Sequence, residues 1–304
     1  MQYALTALTD ELRRLKGIGV KSVAVSEEGL AALRSAVAAR RPAPGAAGME
    51  PGPLAAVVVA PAAPPALRRA AAPKAPAAPL LPPPPTVTPV AGDKATRWAA
   101  LKAQVLGDPV CRAHARPGKQ VVFGVGDLDA KILFVGEAPG AEEEIQGEPF
   151  VGPAGQLLTR MIVATGLQRS QVYIGNIMNW RPEMPVGPDG VQFGNRPPTP
   201  EELAYCLPYL RAQIEIVAPD FLVALGSTAA QGLLGAGSFK ALGEIRGQWK
   251  EFAGKPLMIT YHPSYILRNP TNRSKRLIWE DFLKVMARAG LPISDRQQAY
   301  FLDK

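Results

Sequence analysis

Three short stretches of this chain concentrate side chains able to do chemistry. The first runs from Val135-Gly-Glu-Ala-Pro-Gly140, which contains Glu137 and Ala138, into a run of carboxylates, Glu142, Glu143 and Glu144. Gly136, Pro139 and Gly140 force a tight turn and expose backbone N–H groups. Phe150 follows, between Pro149 and Val151. The second stretch is Gly175-Asn-Ile-Met-Asn-Trp-Arg-Pro182, where the amide of Asn176 offers an acceptor and a pair of donors together. The third is Tyr261-His-Pro-Ser-Tyr-Ile-Leu-Arg-Asn-Pro270, with His262 one of only two histidines. A metal-dependent hydrolase built on Glu142–Glu144 is the rival chemistry, but no His or Asp stands at metal-ligand spacing to support it.

The surrounding pattern says how these groups would be brought together. Ile132–Val135, Val172–Ile174, Phe221–Leu225 and Pro256–Thr260 are apolar, β-branched runs that read as buried strands. Helical spacing is expected over Thr96–Leu106, Gly155–Thr165, Pro200–Ile216, Thr228–Leu234 and Lys275–Ala289. Strands separated by helical crossovers imply a parallel sheet covered on both faces, with ligand at the strand carboxyl ends. Glu137, Asn176 and His262 each follow such a strand.

In this order the three stretches closely resemble the motifs of the family 4 uracil-DNA glycosylases, over roughly Asp108 to Arg288. The resemblance implies a three-layer α/β/α fold around a central, mainly parallel four-stranded sheet. It implies repair chemistry on uracil-containing DNA, single- or double-stranded: the uracil is flipped out and its N-glycosidic bond hydrolysed, leaving an abasic site. Asn176 would read uracil O4 and N3–H, with Ala138 and Phe150 shaping the pocket and Phe150 stacking on the base. His262 would donate to uracil O2, and Glu137 and Glu143 would position water and steady the sugar cation. Ser264, Tyr265, Leu267 and Arg268 would form the loop entering the minor groove. Gly194–Glu202 and Val223–Ala230 also resemble family segments and read as scaffold. Covalent, DNA-trapping relatives carry a basic, His-bearing loop after the first motif; Glu142–Gln146 is acidic and lacks histidine. A non-catalytic lesion-binding protein that keeps the uracil pocket is the alternative function, and the presence of Glu137, Glu143, Phe150, Asn176 and His262 together argues against it.

Two departures from the family pattern stand out. Family 4 enzymes hold an iron–sulfur cluster on four cysteines, and the matching positions here are Asp108, Cys111, Trp180 and Cys206. Two thiolates are too few for an ordinary [4Fe–4S] site, so no cluster is expected, and Trp180 is expected to fill the space as an apolar plug over two neighbouring reduced thiols. The Asp-x2-Cys-x2-His spacing also permits a mixed zinc site from Asp108, Cys111, His114 and Cys206, a rarer ligand set than the common structural zincs. The second departure is an insertion, Glu183–Phe193, polar and Gly/Pro-rich, which reads as a surface loop.

Composition divides the rest of the 304 residues. Prolines and alanines crowd residues 41–93, which read as a disordered, partly polyproline linker without a core-forming pattern. Residues 1–40 read as a small helical unit offering a site for a protein partner. Its Leu15-Lys-Gly-Ile-Gly19 resembles the hairpin of a helix–hairpin–helix motif, but the β-branched run Val20–Val25 does not suit the second helix. Residues 94–304 are ample for one α/β domain. The net charge of +8 shifts the balance toward a polyanionic partner, with Arg268, Arg273, Lys275 and Arg276 close to His262. Asp10 and Glu11 interrupt any early apolar run, and Leu54–Ala60 is too short to cross a bilayer. A monomeric, cytoplasmic protein with no membrane contact is therefore expected.

Overall fold

Alternation along the central strands decides the layering. In β2 (Ile132–Gly136), Ile132 and Phe134 join one apolar cluster while Leu133 and Val135 join another. The same split recurs in β4 (Phe221–Leu225), where Val223 and Leu225 face one way and Leu222 and Ala224 the other. Strands buried on both faces need helices on both faces. The computed structural model describes residues 81–187 and 192–302, so the small unit at 1–40 and most of the linker lie outside the described residues.

The sheet has six strands in the order β1-β3-β2-β4-β6-β5. Its four inner strands, β2, β3 (Tyr173–Asn176), β4 and β6 (Lys255–Thr260), run parallel, as expected. Two short antiparallel edges extend them: β1 (Val125–Gly126) beside β3, and β5 (Trp249–Phe252) beside β6. Both edges escaped the sequence reading. The first is only two residues long, and the second alternates weakly, with Lys250 and Glu251 exposed.

One face is covered by α4 (Pro153–Ala164) and α9 (Asn272–Arg288), through Leu158, Ile162, Ile278 and Phe282. The other is covered by α5 (Pro200–Val217) and α6 (Ser227–Leu234), through Leu210, Ile214, Ala230 and Leu233. The start of α5 is fixed locally: Thr199 caps the Glu202 N–H, Glu202 returns the bond to Thr199 N, and Pro200 occupies the first turn. This is the three-layer α/β/α architecture.

A third cluster sits outside the sandwich, between α1 (Lys94–Gly107), α2 (Pro109–His114) and α5. Leu81 and Val87 pack against it, and Asp93 caps α1 by accepting from Thr96 N at 2.8 Å. The boundary drawn at residue 94 therefore needs moving upstream: residues 81–93 contribute side chains to the folded domain. Their prolines mask this in the sequence, because two isolated apolar residues make no periodic pattern. The remaining short helices are α3 (Glu143–Gln146), α7 (Leu242–Ile245), α8 (Ser264–Arg268) and α10 (Asp295–Gln298). No helix among the described residues is long and apolar enough to cross a membrane.

Candidate functional site

Parallel register gathers the three stretches at one end of the sheet. Gly136 pairs with Asn176, and Leu225 pairs with Thr260, two residues before His262. They open into a cleft of about 330 Å³ whose walls include Ala138, Phe150, Asn176, His262, Leu267 and Arg268.

Phe150 is held in an unusual conformation. Its φ of 56° is in the left-handed region, which costs a non-glycine residue energy and persists only where the surroundings enforce it. Glycine makes the placement feasible: a Cβ on Gly136 would stand 2.5 Å from the Phe150 ring and 2.3 Å from Asn176 Oδ1, and one on Gly155 would stand 1.9 Å from the Phe150 carbonyl oxygen. The Phe150 ring lies 5.6 Å from the His262 ring, tilted by 32°.

Asn176 is 6 % exposed and its Oδ1 has no hydrogen-bond partner. A buried acceptor left unpaired costs about 1–3 kcal/mol, so this atom is set up to accept from something that enters the cleft.

His262 has a defined tautomer. The backbone N–H of Ser264 points at Nδ1 from 3.2 Å, and an amide nitrogen can only donate, so Nδ1 is the acceptor. The Ser264 hydroxyl also lies 2.8 Å from Nδ1, and its oxygen accepts from Arg268 Nη1 at 3.0 Å. Burial and, secondarily, the Arg268 charge push the imidazole pKa down to about 4. A neutral ring with Nδ1 accepting must carry its proton on Nε2. The segment after His262, expected as a loop, is the short helix α8, which lines the cleft with Ser264, Leu267 and Arg268. Tyr265 does not line it. Its ring stacks on Tyr261 at 4.4 Å and packs against the core, because one helical turn cannot face every side chain outward.

The glutamates separate into different environments. Glu143 is buried and fully engaged: Oε1 accepts from Val151 N and Gly152 N at 3.1 and 3.0 Å, and Oε2 from Gly140 N at 3.1 Å. It ties the first turn to the segment carrying Phe150. Glu144 is also buried and pairs with Arg181 at 2.9 Å. Glu142 lines the cleft. Glu137 does not line it. Burial raises the Glu137 carboxyl above its ordinary value, against the opposing pull of the Thr228 hydroxyl and the Arg268 guanidinium.

Sequence reasoning singled out no residue of the wall formed by Arg181, Gly194 and Asn195. Arg181 is 7 % exposed and its Nε donates to Asn195 Oδ1 at 2.8 Å, which ties the 194–202 segment, read as scaffold, to the cleft wall. No local pattern marked Arg181 in the sequence, because its partner Asn195 stands 14 residues away.

The four positions matching the family's cluster ligands share one cluster of side chains, but their chemistry does not fit an iron–sulfur group. Cys111 and Cys206 are free, fully buried and adjacent; interaction with Cys206 and burial keep the Cys111 thiol protonated. Burial alone would raise the Asp108 carboxyl, but the Cys111 N–H and the Tyr209 and Tyr205 hydroxyls outweigh it and hold it below its ordinary value. Those bonds measure 2.7 Å from Cys111 N, 2.7 Å from Tyr209 and 3.0 Å from Tyr205. Trp180 is fully buried in the same cluster, stacked on His114 at 4.9 Å and edge-on to Tyr205 at 6.1 Å. Two thiols, an indole and a carboxylate already bonded on both oxygens do not make a four-thiolate site. The zinc reading fares no better. His114 stacks on Trp180 and faces Glu183, and no group of three or more metal-ligating side chains is poised for an ion among the described residues.

The uracil DNA glycosylase superfamily model matches residues 123–283, from just before β1 into α9. A type-4 uracil-DNA glycosylase of Thermotoga maritima is 45% identical over 165 residues, 54% of this chain and 80% of that protein. The chain belongs to this family. Type-4 enzymes of Archaeoglobus fulgidus and Saccharolobus solfataricus are each 40% identical, over 170 and 174 residues, covering 79% and 75% of their lengths. The family match begins after residues 81–93 and spans the entire cleft, so every lining residue falls inside it.

Proposed function

We propose that this protein is a DNA-repair enzyme that flips uracil out of DNA and hydrolyses its N-glycosidic bond, leaving an abasic site. The observation carrying this reading is the orphaned Oδ1 of Asn176 beside Phe150 and His262. Uracil presents N3–H to that acceptor and O4 to the amide's N–H; cytosine presents neither, so a fixed amide rejects it. The cost of extrusion is repaid by stacking on Phe150 and by these two bonds.

Bond cleavage proceeds as C1′–N1 breaks with its electron pair moving onto the uracil ring. The Nε2–H of neutral His262 meets the negative charge growing on O2, a gain made in the transition state and not in the ground state. The sugar is left as an oxocarbenium-like cation. Glu137, one residue from the cleft-lining Ala138 and just behind that wall, takes the proton of the attacking water as the substrate closes the site, and the carboxylates that line the cleft, Glu142 and Glu143, steady the cation. Glu143 contributes mainly by clamping three backbone N–H groups, so that Ala138 and Phe150 keep their positions. The enzyme works without an iron–sulfur cluster: Trp180 and the Asp108–tyrosine bonds occupy its place.

Asn176→Ala tests the reading. Loss of both base-reading bonds should lower single-turnover uracil release at least about tenfold, at unchanged Tm. A variant that cleaves at the wild-type rate would remove the Asn176 amide from the mechanism.

A further inference from the structure

The segment Glu183–Phe193, read from the sequence as an insertion, ends next to two cleft-lining residues, Gly194 and Asn195. Phe193 is 68 % exposed, the highest value for any large apolar side chain among the described residues. Single exposed apolar residues are ordinary on protein surfaces. Phe193 differs in how firmly its flanks are held. On one side, Gln192 is 5 % exposed; its amide donates to the Pro182 and Gly194 carbonyls at 3.0 and 3.2 Å and accepts from Met184 N at 3.0 Å. Val186 and Gln192 form an antiparallel bridge there. On the other side, Arg181 donates to the Gly194 carbonyl and to Asn195 Oδ1, each at 2.8 Å, reaches the Gln192 carbonyl at 3.4 Å, and is itself held by the buried Glu144. Gly194 turns the chain at a φ of +76°. The segment so anchors the backbone on both sides of an aromatic ring that contacts little of its own protein.

We propose that Phe193 is a stacking platform for the base adjacent to the uracil in single-stranded DNA, which makes the insertion a strand-specificity element. This rests on the glycosylase reading above. A flat ring on an anchored backbone meets a base face with little ordering left to lose, and every base has such a face. In a single strand the neighbouring base is free to rotate onto the ring. In a duplex the same base is already stacked and paired, so the contact would require opening it. Leu267, 44 % exposed on α8, supplies the separate apolar wedge that a duplex substrate needs.

The test compares full-length wild type, Phe193→Ala and Phe193→Trp. Fluorescence anisotropy gives Kd for a single-stranded oligonucleotide carrying one 2′-fluoro-2′-deoxyuridine, and for its duplex, at one fixed salt concentration. Phe193→Ala should weaken single-strand binding about tenfold and duplex binding less than twofold, with Phe193→Trp at or below the wild-type Kd. Equal losses on both substrates, no loss on either, or an unrescued Trp variant would each overturn the proposal. Uracil release by the wild type is measured in parallel on cleavable substrates. Its absence would defeat the glycosylase reading, while the Kd comparison would still decide the role of Phe193.

Discussion

The backbone N–H of Ser264 and the Nδ1 of His262 lie 3.2 Å apart, which fixes where the imidazole carries its proton. With the pKa pushed down to about 4 by burial and Arg268, the ring is neutral at physiological pH and donates from Nε2. His262→Ala should therefore slow single-turnover cleavage by about 10²–10³ while leaving DNA affinity nearly intact. Imidazole nitrogen chemical shifts should report a protonated Nε2 between pH 5 and 8. The same shift has a stability signature. Between pH 6.5 and 4 the unfolded chain binds a proton at this histidine that the folded chain does not, so His262 makes stability fall as pH falls through that window. Denaturant titrations should show a shallower fall in the Ala variant; an identical slope would mean the ring titrates normally.

The two glutamates of the first stretch should respond differently to substitution. Glu137, with its carboxyl raised by burial, sets the acidic limb of kcat/KM, since the base form is lost as pH drops through its elevated pKa. Glu137→Gln should lose most of the rate with Tm unchanged. Glu143→Gln leaves backbone N–H groups of Gly140, Val151 and Gly152 short of acceptors, so it should lower stability by at least about 1–3 kcal/mol and weaken base binding as well. A stable, well-binding Glu143→Gln variant that had lost only kcat would reverse these assignments.

Much of this was legible in advance because motif spacing and strand alternation act together. Val135–Gly140, Asn176 and Tyr261–Ser264 each end an apolar strand, and parallel register could only collect them at one edge. What escaped was set by long-range contacts without a local pattern. Arg181 reaches Asn195 across 14 residues, Tyr265 turns inward to Tyr261, and Leu81 and Val87 find the α1–α5 cluster from within a proline-rich stretch.

Residues 81–93 provide a direct check on that last point. Removing residues 1–80 should leave the Tm of the domain unchanged. Removing 1–93 takes away the Leu81 and Val87 packing and the Asp93 cap, the cap alone being worth about 1 kcal/mol, and should lower stability by about 2 kcal/mol. Equal Tm values for the two truncations would restore the boundary at residue 94.

Trp180 makes a different prediction, about metal content. Protein purified without oxygen should contain far less than one iron per chain, and Trp180→Cys alone should not recover a cluster, because Asp108 stays committed to Tyr205, Tyr209 and the Cys111 N–H. Trp180→Ala should cost about 3–5 kcal/mol through the cavity it leaves. Near-stoichiometric iron with visible absorbance would contradict the replacement, and stoichiometric zinc would favour the Asp108, Cys111, His114 and Cys206 set.

The most direct measurement of the whole account is base release by the wild-type protein, in the presence of a chelator, from two oligonucleotides that differ only in carrying one uracil or one cytosine. Free uracil and an abasic strand should form from the first, and nothing from the second, because only uracil satisfies Asn176 while His262 takes up the charge on O2. Intact uracil-containing strands, single and double, despite measurable binding would contradict catalysis and leave a protein that recognises the lesion without cutting it.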